Sequence, residues 1–239
     1  MIEIFLVTPF PKMVQAIIGE SILRRAKEKG LVEYQVIDLR DFTEGKYRQV
    51  DDYPFGGGTG MVMMAEPILK AVDKARNLFS GESELRMIFP TPQGEILTQK
   101  KSWALSEAEG LIFICGHYKG IDERVREMVV TDEISIGDYI VTGGELPAMV
   151  ILDTVVRLIP GVLGDSESAT SDSFTDPLLD HPHYTRPEKL RGEKVPDVLL
   201  SGHHLQIQAW RQEQREKRTR ERRPDLWEHY NKSNSQSGV

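Results

Sequence analysis

The sequence predicts an α/β protein, built on a mostly parallel sheet and followed by a small helical C-terminal domain. Three observations carry that expectation. Residues 1–160 alternate between strand-like and helix-like runs, the pattern of a parallel sheet buried between helical layers. Three of the strand-like runs end in Gly- or Pro-rich turns: Pro90–Gly94, Gly116–Gly120 and Gly137–Gly144. Past residue 187 the pattern turns helical and rich in Lys and Arg.

Taken in order, Ile2–Val7 is a mostly apolar run and reads as the first strand. Val14–Lys29 has helical spacing, and Gly30 is placed to end it. Val32–Leu39 alternates as a strand does. Glu66–Leu78 is helix-like and precedes the apolar run Leu85–Phe89. Thr98 can cap a helix through about Ser106. Leu111–Cys115 reads as a strand, Ile121–Met128 as a helix, Ile134–Val141 as a strand and Leu146–Ile159 as a helix. His203–Arg222 is a long helical pattern with Ser201 as its cap, and Pro224 can start a final helix. The expected division is an α/β domain at 1–160, a linker or active-site loop at 161–186, a helical domain at 187–230 and a disordered tail at 231–239.

Composition narrows the function classes. No apolar run in the 239 residues reaches the roughly 20 needed to span a bilayer. The N-terminus lacks a basic region ahead of its apolar run, so a secretion signal is not expected. Cys115 is the single cysteine, which excludes an intrachain disulfide and fits a reducing cytoplasm. The net charge of −7 argues against nucleic acid, but its distribution does not. Residues 1–184 carry 18 Lys and Arg against 29 Asp and Glu, whereas residues 185–223 carry 11 against 6. A local basic surface suits an anionic partner.

The most informative stretch is Ser135–Ala148, which passes from β-type residues through Gly143-Gly144 into an apolar helix with Pro147 in its first turn. Adjacent glycines can take positive φ and let a ligand approach the backbone. Ligands of open α/β proteins bind beyond the carboxyl ends of strands, so the three turns suit one shared crevice. Neither a G-x-G-x-x-G nor a Walker A sequence is present, which supports neither a dinucleotide fold nor a P-loop.

Six segments then occur in a telling order: Asp51–Met61, Pro92-Gln93-Gly94, Ile114–Tyr118, Gly120–Arg124, Ile136–Pro147 and His181–Pro187. In these the sequence resembles the bacterial tRNA (guanine-N1)-methyltransferases of the TrmD family, over nearly the whole chain. The resemblance implies a deep trefoil knot of the SPOUT class. It further implies S-adenosyl-L-methionine as methyl donor and N1 of the guanosine at tRNA position 37, just 3′ of the anticodon, as acceptor. A cytoplasmic homodimer with its active site at the subunit interface, and assistance by magnesium, follow from the same source. By family correspondence the donor pocket takes Pro92, Gly94, Gly116, Tyr118, Ile136, Gly137, Asp138, Tyr139, Ile140, Val141, Gly143 and Gly144. Asp172 is the implied base and Arg157 the implied cation. The tRNA anticodon stem-loop is assigned to Gly58, His183, Tyr184, Arg186, Arg215, Lys217, Arg218 and Arg220.

The resemblance is imperfect at Tyr53, where arginine is usual, at Thr59, where proline is common, and at Lys119, where glutamate is frequent. His181 and His183 do not by themselves make a metal site, because further ligands are missing from the sequence pattern. Cys115 reads as a buried small hydrophobe. Two rivals stand beside this reading: a knotted methyltransferase acting on another RNA, and an RNA-binding protein without catalysis. Neither requires Arg157, Asp172 and His181–Pro187 together.

Overall fold

A computed structural model describes residues 1–82, 85–164 and 172–236, apart from the side chains of 234–236. The chain forms two compact units, Met1–Asp165 and Ser166–Val239. The first contains, in order, β1 (Ile2–Thr8), α1 (Pro11–Ile18), α2 (Ser21–Glu28), β2 (Val32–Asp38), β3 (Asp51–Asp52), β4 (Val62–Met63) and α3 (Ala65–Leu78). It continues with β5 (Arg86–Ile96), α4 (Gln99–Ser106), β6 (Gly110–Ile114), α5 (Glu123–Val129), β7 (Asp132–Ser135) and α6 (Glu145–Val156). Five strands make one sheet in the order β2-β1-β6-β5-β7, with every neighbouring pair parallel. The expected α/β class holds.

The apolar runs are buried on both faces, as a parallel sheet requires. Along β1, Ile2, Ile4 and Leu6 enter one core with residues of α1, α2, α4 and α6. Phe5 and Val7 enter the other, packed with residues of α3 and α5. Three boundaries differ from expectation. The single helix expected over Val14–Lys29 is two: Gly19 caps α1, and Ser21 opens α2 with φ 50°. The strand from Leu85 extends to Ile96 by looping out Thr91–Gly94, so that Pro90 and Glu95 both face Ile134. Prolines at 90 and 92 cannot donate to a ladder, which accounts for the interruption. The strand expected over Ile134–Val141 stops at Ser135; β7 is at the sheet edge and, among the described residues, pairs with β5 alone.

A buried carboxylate ties this edge down. Asp132 accepts from Arg86 Nε at 2.8 Å, Arg86 Nη2 at 2.5 Å and Thr131 Oγ1 at 2.7 Å, and Lys101 Nζ of α4 lies 2.9 Å away. Burial alone would raise its pKa, but the hydrogen bonds from Arg86, Lys101 and Thr131 outweigh it and hold the carboxyl well below the usual range.

The second unit contains β8 (Lys189–Leu190), β9 (Glu193–Lys194), α7 (Asp197–Leu200), α8 (His204–Arg222) and α9 (Pro224–Gln236). Ser201 follows α7 and accepts the His203 N–H at 3.1 Å, while α8 starts without a side-chain cap. α9 runs to Gln236, so 231–236 is helical where a disordered tail was expected. Gln212 of α8 donates to Tyr230 Oη at 3.3 Å, and Arg220 lies 4.9 Å over the Trp227 ring, which anchors α9 along α8. Residues 165–171 of the expected linker and 237–239 of the expected tail lie outside the described residues. Among the described residues no helix is long and apolar enough to cross a membrane.

A depressed carboxyl pKa stabilises the fold above the unfolded value of about 3.9 and ceases to do so as pH falls through the folded value. Asp132→Asn is therefore expected to cost roughly 1–3 kcal/mol at pH 7. In urea titrations repeated down the pH scale, that deficit should shrink below pH ~4. A deficit independent of pH would assign the loss to packing alone.

Candidate active site

A cavity of about 620 Å³ opens beyond β6 and β7 and beside the looped-out part of β5, lined by Phe89–Gln93, Gly116–Ile121, Ile134–Gly137 and Tyr139–Gly144. All three turns singled out in the sequence meet there. Past β7 the chain returns to the tip of β6, where the Gly144 N–H donates to Gly116 O at 2.7 Å. Gly143 bridges His117 in antiparallel fashion.

This crossing explains the glycine pair, and the explanation differs from the expected one. Gly144 has φ −77°, an ordinary right-handed value. Its glycine identity follows from close approach, since a Cβ would lie 2.7 Å from Gly116 N and 3.0 Å from Cys115 Cα. At Gly143 a Cβ would lie 2.2 Å from His117 Nε2 and 2.7 Å from Glu145 Oε2. Positive φ is used at Gly137 instead, at 141°, where the Tyr139 ring fills the space a Cβ would need.

Beneath the crossing is a carboxylate that sequence reasoning missed. Glu145, the first residue of α6, is 1% exposed and accepts the Thr8 hydroxyl at 2.7 Å. Thr8 Oγ1 in turn accepts the Phe10 N–H at 2.9 Å, and the other Glu145 oxygen is 3.6 Å from His117 Nε2. An acid in the first turn of a helix was the available signal. Its partners are remote in sequence. Cys115 is fully buried beside it; burial, with the Glu145 charge, pushes its thiol well up.

The walls are partly self-satisfied. The Tyr139 hydroxyl donates to Ile136 O at 3.2 Å. The Arg126 guanidinium is taken by Glu133 at 2.6 and 3.0 Å, Gln93 at 2.7 Å and Glu123 at 2.9 Å. Burial, and then the nearby Asp51 carboxylate, raise the Tyr118 hydroxyl, with Arg40 opposing. Lys119 lays its aliphatic stem against Gly60, and its N–H donates to Met61 O at 3.0 Å.

Of the expected donor residues, Pro92, Gly116, Tyr118, Ile136, Gly137, Tyr139, Ile140, Val141, Gly143 and Gly144 line the cavity. Gly94 and Asp138 do not. Gly94 is pressed against β7, where a Cβ would lie 2.3 Å from the Glu133 carbonyl carbon, and Asp138 is exposed. Arg157 follows α6 in the first unit, half-buried, with its N–H on Asp153 O at 3.2 Å. Gly58 is exposed in the loop between β3 and β4.

The remaining expected residues belong to the second unit. Asp172 is half-buried there, and its carbonyl accepts the Thr175 N–H at 3.4 Å. His183, Tyr184 and Arg186 are exposed. On α8, Lys217 and Arg220 are exposed and Arg218 half-buried. Arg215 is committed internally: its guanidinium donates to Asp176 at 2.6 Å and Gln212 at 3.3 Å.

The sequence matches the family described as tRNA (guanine-1)-methyltransferase TrmD over residues 2–229. The chain belongs to the TrmD family. It is 55% identical over 228 residues to the tRNA (guanine-N(1)-)-methyltransferase of Shouchella clausii, covering 95% of this chain and 92% of that protein. The same figures describe its similarity to the enzyme of that name from Anoxybacillus flavithermus. The corresponding Bacillus velezensis protein is 54% identical over 229 residues, 95% of this chain and 93% of its own. The match runs through residues of both units, so the TrmD resemblance read from six segments extends over residues 2–229.

The crossing predicts a contrast between adjacent glycines. Gly144→Ala collides with backbone and should destabilise by roughly 1–3 kcal/mol with no rescue. Gly143→Ala collides mainly with the His117 ring, so adding His117→Ala should recover part of a similar loss. Urea midpoints of the single and double variants check this; equal, additive losses at both glycines would refute the crossing geometry.

Proposed function

We propose that this TrmD-family enzyme methylates N1 of the guanosine at tRNA position 37, with S-adenosyl-L-methionine held in the cavity beyond β6 and β7 and beside the looped-out part of β5. Methylation of tRNA guanine at N1 is the activity of the family to which the chain belongs. The observation that carries the finer reading is the cavity itself. Its walls include a glycine cradle without room for a Cβ at Gly137, Gly143 or Gly144. Backbone N–H and C=O groups along such turns can read an adenine edge, and Ile136, Ile140 and Val141 offer apolar cover for a flat ring.

When bound, the donor supplies an electrophilic methyl group. Neutral guanine has no free in-plane lone pair at N1, so its N1 proton must leave as the N–C bond forms. Asp172 takes that proton as general base. Negative charge shifts toward O6, where Arg157 stabilises it; arginine keeps its charge in a partly dry site. Gly94 and Asp138 support the donor loops from behind rather than by touching the donor.

Lys217, Arg218 and Arg220 on α8, with Gly58, His183, Tyr184 and Arg186, contact the anticodon stem-loop, whose unpaired bases can be extruded cheaply. Arg215 supports α8 through Asp176 and does not face phosphate in this reading. The functional unit is a homodimer whose active site is completed across the interface. Its support is the exposed apolar pair Leu146 and Val150, one turn apart on α6, and Phe10, whose ring is 4.9 Å from His117 at the cavity. The trefoil knot is supported by the return of the chain from the sheet edge at β7 to the tip of β6. Magnesium assistance and a cytoplasmic location complete the reading, as the family and the free Cys115 suggest.

The test is methyl incorporation from labelled S-adenosyl-L-methionine into unmodified tRNA carrying guanosine at position 37. Incorporation at N1 of that base supports the proposal; incorporation elsewhere in the tRNA overturns it. Asp172→Asn should leave donor affinity intact while single-turnover rates fall by roughly 10²–10⁴. A near-normal rate would assign the proton to another group.

A further inference from the structure

Three ligating side chains meet in the second unit. Asp180, His181 and His183 each offer one donor atom, all within 4.8 Å of one another. Sequence spacing suggested two imidazoles without further ligands; the fold adds a carboxylate that faces both. His183 Nε2 lies 2.7 Å from Asp180 Oδ2, and His181 Nε2 lies 3.8 Å from Asp180 Oδ1. The imidazole centroids are 4.4 Å apart.

Two features outside the convergence itself make it a ligand set. His181 Nδ1 is 3.2 Å from the carbonyl oxygen of Pro182, which can only accept. In the neutral ring Nδ1 therefore carries the hydrogen, and the Nε2 lone pair is turned toward Asp180, as an orienting hydrogen bond does for a metal-bound histidine. The backbone around the carboxylate is also pinned by hydroxyls from other elements. Asp180 N–H donates to Ser173 Oγ at 2.9 Å, and Leu179 N–H to Thr219 Oγ1 of α8 at 2.8 Å. Thr219 is fully buried.

We propose that Asp180, His181 and His183 bind a borderline divalent transition metal, of which zinc is the type, through two imidazole nitrogens and one carboxylate oxygen. Nitrogen donors favour zinc, cobalt or nickel over magnesium, which prefers oxygen. Zinc ligands at about 2.0–2.2 Å sit roughly 3.3 Å from one another in a tetrahedron. The 2.7 Å pair must open slightly and the 3.8 Å pair close, a matter of side-chain rotation. Both imidazoles bind as neutral rings through Nε2 with their hydrogens on Nδ1, so protons compete with the metal and affinity falls with acid. A fourth position stays open to water. The bound metal clamps the backbone immediately before Tyr184 and Arg186.

The test is calorimetric titration of the full-length, chelator-stripped protein with zinc chloride, and separately with magnesium chloride. One saturable zinc site in the micromolar range or tighter, unaffected by excess magnesium, is expected. His181→Ala and His183→Ala should each weaken it by about tenfold or more. His183 is 70% exposed, so its variant should keep the wild-type melting temperature in the absence of metal. Absence of saturable zinc binding, equal displacement by magnesium, or unchanged zinc affinity in the double variant would each overturn the proposal.

Discussion

The structure of the first unit turns on one backbone contact, the 2.7 Å hydrogen bond from Gly144 N–H to Gly116 O. It joins the tip of β6, a central strand, to the chain arriving from β7 at the sheet edge. With no side chain on Gly144, two stretches of main chain reach a separation that a Cβ would prevent, and at Gly143 a Cβ would meet the His117 ring and the Glu145 carboxylate. Two of the three turns around the cavity, Gly116–Gly120 and Gly137–Gly144, are held together by that approach. So is the start of α6, the helix that ends next to Arg157.

Polar groups buried beside the contact make its geometry specific. Glu145 enters the core only because Thr8 donates to it and the α6 N-terminus favours an anion. Thr8 is the last residue of β1, so a single carboxylate links the first strand to the final helix of the sheet domain. Asp132 does comparable work at the other end of β7, where Arg86 and Lys101 compensate it. These two carboxylates constrain β7 and the loop beyond it, the segment from which most of the cavity wall is drawn.

Much of this was legible in sequence, for identifiable reasons. The inner strands β1 and β6 are rich in apolar residues because both of their faces are buried, as the split of β1 between two cores shows. The break between α1 and α2 was hidden because apolar spacing continues through Gly19–Ser21. Ile136–Val141 has strand composition but no second neighbour at the sheet edge, and its side chains serve the cavity instead. The glycine pair was noticed at the right position, but positive φ is not its reason: Gly144 has an ordinary φ and a Cβ there would meet backbone, while at Gly143 it would meet the His117 and Glu145 side chains. Glu145 and Thr8 were illegible as partners, being 137 residues apart. Arg215 looked like one more cation in a basic run, and only the fold supplies Asp176 as its partner.

The central claim is that the glycine crossing and its neighbouring turns enclose the methyl donor. Amide hydrogen exchange of the full-length protein, with and without S-adenosyl-L-methionine, tests it most directly. Slowed exchange concentrated in residues 116–120 and 136–144 is the predicted result. Donor binding that protects other segments, and leaves those two unchanged, would contradict the account.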